Sequence, residues 1–187
     1  MSSEHIPATA KPDRLLTTLQ RLLELTATEM GETLQKTVQL VTQALGVEKV
    51  DLFLYDAQSR SLIAQGTSVT PMGNTEKAIG LDRLPLANGG RIVEVYLTGQ
   101  SYWTGQAHRD PHELRGMTEE LGIKSEMAML LEVDAEPRGV LFASSSRPDC
   151  LTEQDLHFLE AVSHWVGVVL HRAELVEQYT HAARERE

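Results

Sequence analysis

The sequence predicts an α+β domain: a mostly antiparallel central sheet with helices on its faces. Three observations carry that prediction. Apolar residues recur at helical spacing near both ends of the chain. Between them the spacing switches to a period of two, and the strands so marked form hairpins at both ends of the sheet region.

The first ordered segment is expected to start at Asp13, as the cap of a helix with leucines at 15, 16, 19, 22 and 23. Met30-Gly31 interrupts the pattern. A second helix carries Leu34, Val38, Val41 and Leu45 on one stripe and stops at Gly46 in a left-handed conformation. In "KVDLFLYD", Val50, Leu52 and Leu54 alternate with Asp51, Phe53 and Tyr55, so both faces of this strand meet something. "AQSR" turns the chain and "SLIAQ" returns as its partner. Residues 66–82, rich in Gly, Thr, Ser and Pro, read as a long irregular loop of the kind that carries function.

"RLPL" is a short extended piece. "NGGRIVEVYLTG" reads as a short helix with Ile92, Val93, Tyr96 and Leu97 inward and Gly99 at its end. "SYWTGQA" is a strand. "DPHELRGMTEELG" reads as a helix with Asp110 as N-cap, Pro111 in the first position and Glu113 closing a capping box. In "SEMAMLLEV", Met127, Met129, Leu131 and Val133 alternate with Glu126, Ala128, Leu130 and Glu132, and "RGVLFASSS" follows the turn "DAEPR". Thr152, with Asp155 three residues on, caps a last helix whose inward stripe is Leu159, Val162, Val166, Val169, Ala173 and Val176. Residues 1–12 are expected to be disordered, 13–176 to form one domain, and 177–187 to be a helical tail or linker.

Composition narrows the function. The chain has 187 residues, 41% of them hydrophobic, enough for one well-cored domain. A net charge of −10 leaves no excess of Lys and Arg for nucleic acid or an anionic membrane surface. No apolar run spans a bilayer and no secretory signal opens the chain, so the expected location is cytoplasmic. One cysteine, Cys150, allows no internal disulfide.

The densest chemistry lies in "SYWTGQAHRDPHEL". Asp110, Pro111 and Glu113 are accounted for by helix initiation. His108-Arg109-Asp110 is no kinase catalytic loop, because the downstream Asn and a Gly-rich nucleotide loop are missing. His108 and His112 fall short of the ligand number a metal site needs. Tyr102 and Trp103 go to opposite faces of their strand; one packs under helices and the other is free to line a ligand. Core packing is the commoner fate of a strand Trp, and a stacking wall for a planar ligand is the alternative. Gly89-Gly90 at a helix start, with Arg91, offers an anion cradle beside the plainer reading of loop geometry. His157, His164 and His171 recur every seven residues on the last helix, which in a parallel dimer would bring each near its symmetry mate and weaken association below pH 6; a solvated face is the plainer reading.

The strand "VEKVDLFLYD", the segment "LPLANGGRIVEVYLTGQSYW" and the closing block "SEMAMLLEVDAEPRGVLFASSSRPDCLTEQDLHFLEAVSHWVGVVL" together resemble the GAF family of small-molecule sensor domains, over roughly 32–176. The resemblance implies a six-stranded antiparallel sheet with the N- and C-terminal helices on one face. Short helices and loops then form a ligand pocket on the other. The residues expected to line it are Phe53 or Tyr55, the 66–82 loop, Tyr96, Trp103, His108, Arg109, and Met127 or Met129, with Gly89, Gly90 and Arg91 as the anion cradle.

The expected function is a non-catalytic sensory module. It binds a small organic ligand and signals, through a homodimer built on its N- and C-terminal helices, to a covalently linked output domain such as a histidine kinase. Bilin is disfavoured because the pocket region has no cysteine, and haem through His108 or His112 is disfavoured too. Sulfoxide-reducing members need more than one reactive cysteine, and the motif of the cyclic-nucleotide class is absent. The alternatives are a small stand-alone enzyme using His108 and Arg109, or a pure dimerisation module without ligand.

Overall fold

The chain is described here in a computed structural model at residues 10–25 and 29–185. Its elements are α1 (Lys11–Leu23), α2 (Met30–Leu45), β1 (Lys49–Asp56), β2 (Ser61–Thr67), α3 (Pro71–Ala78), β3 (Arg83–Pro85), α4 (Arg91–Thr98), β4 (Tyr102–Thr104), β5 (Ser125–Val133), β6 (Glu136–Ser145) and α5 (Glu153–Arg184). The six strands form one antiparallel sheet in the order β3-β2-β1-β6-β5-β4. The predicted α+β class, with its six-stranded antiparallel sheet, is what the chain adopts.

Strand alternation sorts the core into two layers. Val50, Leu52, Met127, Met129, Leu131, Leu141 and Ala143 face α1, α2 and α5, where Leu34, Val38, Val41, Leu159, Val162 and Val166 meet them. Phe53, Ala128, Val140 and Phe142 face the other way, against Ile92, Val93 and Val95 of α4 and against Met117 and Ile123. Helix α2 ends on Gly46 in the left-handed region, and α4 ends likewise on Gly99, as the sequence predicts.

Several local expectations are corrected. Helix α1 begins at Lys11 after Ala10, with Pro12 in its first turn, so Asp13 is a first-turn acid and not the cap. Lys11 and Pro12 are therefore helical, while the disorder expected of 1–9 lies outside the described residues. The break between the first helices falls before Met30; Met30 and Gly31 open α2. The loop expected over 66–82 contains the end of β2 and the whole of α3. Thr70 caps that helix by accepting from the Gly73 amide (3.1 Å), and Pro71 starts it. This is a capping signature that the Gly/Ser/Thr composition hid.

Leu97, expected inward, is exposed on α4. The turn of the last hairpin is only Asp134-Ala135, both at positive φ, because Val133 pairs directly with Glu136. On α5 the buried stripe runs Leu159, Val162, Val166, Leu170, and Val176 is exposed, since the helix leaves the sheet there.

Thr152 caps α5 in a full capping box with Asp155, and Asp155 Oδ2 also accepts from Lys11 Nζ of α1 (2.8 Å). Thr152→Ala is expected to lower stability by about 1 kcal/mol, read from urea unfolding followed by circular dichroism. A change inside ±0.3 kcal/mol, roughly the noise of such comparisons, would mean the cap is redundant.

Candidate functional site

The sheet face beneath α3 and α4 carries charge where a core strand should be apolar. Three rows cross it. Lys49, Ser144, Glu126 and Thr104 align through the register of β1, β6, β5 and β4. Asp51, Phe142, Ala128 and Tyr102 form the next row, and Phe53, Val140 and Leu130 the third. Lys49, Asp51, Ser144 and Glu126 are all fully buried, as is Glu76 from α3.

Two carboxylate groupings result. In the first, Lys49 Nζ donates to Asp51 and to Glu76 Oε1 (2.8 Å) and sits 4.8 Å from the centre of the Phe142 ring. Burial opposes the lysine charge, but Asp51 and Glu76 outweigh it and raise its pKa, so Lys49 is an ammonium. One cation cannot neutralise two buried carboxylates. Burial first, then the Asp51 charge, raises Glu76 to about 8, so Glu76 holds a proton at neutral pH.

In the second grouping, Glu126 stands beside Glu113. Burial and then the Glu113 charge raise Glu126 to about 10. Glu113 in turn accepts from the Leu114 amide (2.7 Å) and, at 3.5 Å, from the Arg91 amide at the start of α4. The close approach depends on Gly90, where a Cβ would lie 2.7 Å from Leu114 Cγ and 3.3 Å from Glu113 Oε1. At the "NGGR" helix start the Arg91 amide thus meets the chain's own Glu113 carboxyl.

Next to it, Arg91 grips Asp110 with two hydrogen bonds (2.6 and 2.9 Å), reaches Glu94 (2.6 Å) and lies 4.7 Å from the centre of the Tyr102 ring. The Tyr102 hydroxyl donates to Asp110 (2.5 Å). The Arg91 guanidinium holds Asp110 well below the usual carboxylate range, while burial and the Asp110 hydrogen bond push the Tyr102 phenol up.

The predicted site residues divide accordingly. Phe53 is buried on this face, and Tyr55 stacks on Tyr96 with centroids 5.0 Å apart. Arg91 joins the polar cluster through Asp110. Met127 and Met129 do not: they face the three long helices. Trp103 shares their face and is 43% exposed among the described residues, so neither core packing nor a pocket wall describes it; β4 is the edge strand of the sheet. Tyr102 takes the inward role. His108 and Arg109 are exposed in a 3₁₀ turn, Ala107–Arg109.

The capped helix expected from Asp110 is replaced by turns and a short π-helical stretch, Gly116–Glu120. Asp110 Oδ1 does accept the His112 amide (2.9 Å) as an N-cap would, while Arg91 and Tyr102 also engage its carboxylate; Glu113 accepts from the Leu114 amide instead of reaching back, so the capping box is not closed. Sequence reading missed Lys49, Glu76, Glu113 and Glu126 as a group. The available signal was a Lys or Glu at a strand position whose neighbours two residues on are buried, in "KVDLF" and "EMAML".

Two clefts lie elsewhere. A groove of about 520 Å³ runs between the β5 end and α5, lined by Val133, His164, Val168, His171, Arg172 and Leu175 among others. A smaller one of about 270 Å³ lies between α1 and α2. Among the described residues no cluster of three His, Cys, Asp or Glu side chains is arranged to hold a metal ion, and no helix is long and apolar enough to cross a membrane.

A six-stranded antiparallel sheet, clamped by its end helices and closed over a buried polar face by shorter ones, is the architecture of a ligand-binding sensory or regulatory module. The chain belongs to the GAF domain family, whose model matches residues 29–170. A comparison with curated proteins finds no match.

Among solved structures, the chain is similar to the GAF domain of a phosphoenolpyruvate-protein phosphotransferase from Coxiella burnetii, with a TM-score of 0.76 and 17% identity, covering 90% of this chain and 99% of that one. It is similar to the equivalent Acinetobacter domain with a TM-score of 0.71 and 17% identity, over 95% and 99%. It is also similar to a free methionine-R-sulfoxide reductase from Neisseria meningitidis, with a TM-score of 0.71 and 18% identity, over 94% and 99%. At these identities the likeness is one of fold.

Proposed function

We propose that this domain is a non-catalytic sensor that binds a small ligand on the α3/α4 face of its sheet and passes the signal, as a homodimer, to a linked output domain. The observation that carries the reading is α5. It runs 32 residues, about 48 Å, well beyond the sheet it packs on. Val168, Leu175, Val176 and Tyr179 stand exposed along it, and α1, packed beside it, exposes Leu16 and Leu23. Apolar residues on two adjoining helices fit a second copy of the same chain, with the α5 groove receiving it.

A histidine kinase is the output proposed from the sequence. A phosphotransferase is the second candidate, because the solved GAF domains from Coxiella burnetii and Acinetobacter come from such enzymes. A stand-alone enzyme built on His108 and Arg109 gains no support, since both are exposed and outside the buried cluster. Of the histidine series, His157 and His164 are exposed, while His171 Nδ1 lies 3.5 Å from Asp134, which would offset part of any charge gained there.

Sedimentation velocity tests the dimer. The chain is expected to sediment as a dimer and the double variant Val168→Glu/Val176→Glu as a folded monomer. A monomeric parent chain, or a variant that stays dimeric, would sink the helical interface. Melting temperature across a metabolite panel tests ligand binding.

A further inference from the structure

We propose that Glu126, Glu113 and Ser144 form a binding site for the ammonium group of a small organic amine. The proposal rests on the sensor reading and names the ligand class of that same buried face. Its basis is an imbalance between acceptors and donors. Among the described residues, both oxygens of Glu126, Oε2 of Glu113 and Oγ of Ser144 are buried without a hydrogen-bond partner. Glu126 and Ser144 pair in register on adjacent strands, so their side chains stand side by side on one face. Ser144 is not acidic, and its hydroxyl is a second buried group with no assigned work.

The cations nearby are already engaged. Lys49 is held by Asp51 and Glu76, and Arg91 by Asp110 and Glu94. An anionic ligand would find no free cation here and would meet Glu113 and Glu126 instead. A metal ion finds no set of three ligating groups among the described residues. An ammonium has three N–H donors and a positive charge, which is what two carboxyls and a hydroxyl lack. Tyr102 and Phe142, one row over, give apolar walls for a carbon skeleton. The segment between β4 and β5 that covers this end of the sheet is built of short 3₁₀ and π turns, a weaker lid than a regular helix.

The exchange balances in protons. In the free protein Glu126, its pKa held above neutral pH by burial, is a neutral carboxylic acid beside Glu113. Binding places R–NH₃⁺ between the two, and the Glu126 proton leaves to solvent. One proton is released for each amine bound, so affinity rises with pH, by up to tenfold per unit between pH 6 and 8.

The test uses the full chain. Ethylamine, putrescine and free amino acids are compared with neutral amides and dicarboxylates by thermal shift. Hits are titrated calorimetrically in two amine-free buffers of different ionisation enthalpy. Amines are expected to raise the melting temperature by about 5 °C at saturation, with roughly one proton released. Glu126→Gln is expected to fold, to bind at least tenfold more weakly and to release no proton. Ser144→Ala should weaken binding with proton release intact.

If only neutral or anionic compounds stabilise the protein, the ligand class is wrong and the sensor reading survives. If amines bind Glu126→Gln as well as the parent chain, the site lies elsewhere. If no compound shifts melting, the sensor reading falls and takes this inference with it.

Discussion

Lys49→Met is expected to destabilise the domain by about 3–5 kcal/mol, the cost of removing one partner from a buried ion pair. Lys49, Asp51 and Glu76 are all fully buried, so water cannot replace the lost ammonium. Methionine keeps the chain length against Phe142 but leaves Asp51 to bear an uncompensated charge or to take up a proton. The effect belongs to the charge and not to the packing. The double variant Lys49→Met/Asp51→Asn should therefore recover at least half of the loss, because the asparagine is neutral and can still hydrogen-bond the Glu76 carboxyl. Urea unfolding at pH 7 reads both. A single-variant loss under about 1 kcal/mol, the range of exposed pairs, would show that the lysine reaches solvent.

From these groups stability is expected to peak near pH 4 and to decline through pH 8. Folded Glu76 and Glu126 titrate at about 8 and about 10, both above the ordinary 4.5. Above pH 4.5 the unfolded chain has lost these protons while the folded chain keeps them. The folded state then binds more protons, and stability falls as pH rises. The decline from Glu76 continues until about pH 8 and that from Glu126 until about pH 10.

Asp110 works in the opposite sense. Its pKa is depressed by Arg91, so its contribution is present above the ordinary carboxylate range and is lost in acid. The two trends meet near pH 4, between the ordinary Asp and Glu values of 3.8 and 4.5. Glu76→Gln and Glu126→Gln should each flatten the alkaline limb, since glutamine mimics the protonated acid. A profile level between pH 5 and 8 would mean that these carboxyls are ionised and solvated.

The sequence carried the architecture a long way because backbone periodicity is local. "KVDLFLYD" and "SEMAMLLEV" declare strands by alternation alone. Thr152 and Asp155 declare the start of α5, and Gly46 and Gly99 declare helix ends through their own conformations. Local signals misled where a long-range partner competed for the same group. Asp110, Pro111 and Glu113 spell a capping box, yet only its first half forms: Asp110 accepts the His112 amide, while Glu113 is turned to the Leu114 amide and to the Arg91 amide, twenty-two residues earlier. Thr70-Pro71 spells a cap too, and there the long-range partner is compatible with it: the Thr70 hydroxyl donates to the Glu48 carbonyl while its oxygen accepts the Gly73 amide, so α3 forms.

The candidate site was legible only in part. Strand alternation and helix face put Phe53, Tyr55 and Tyr96 together in the layer under α4, which is as far as spacing reaches. Met127 and Met129 were placed on the wrong side because alternation fixes which residues share a face and not which layer that face meets. His108 and Arg109 attracted attention as chemically able residues, but their turn leaves them in water.

The amino-acid sequence by itself determined the α+β class, nearly every strand, the caps of the last helix and the family. Those are written in spacing and in single-residue conformation, which act within a few residues. Only the tertiary structure decided that Lys49, Glu76, Glu113 and Glu126 share one buried face, because strand register and helix packing bring them together from four distant segments. Burial then sets their charge, and no stretch of sequence carries the dielectric of a neighbour it has not yet met.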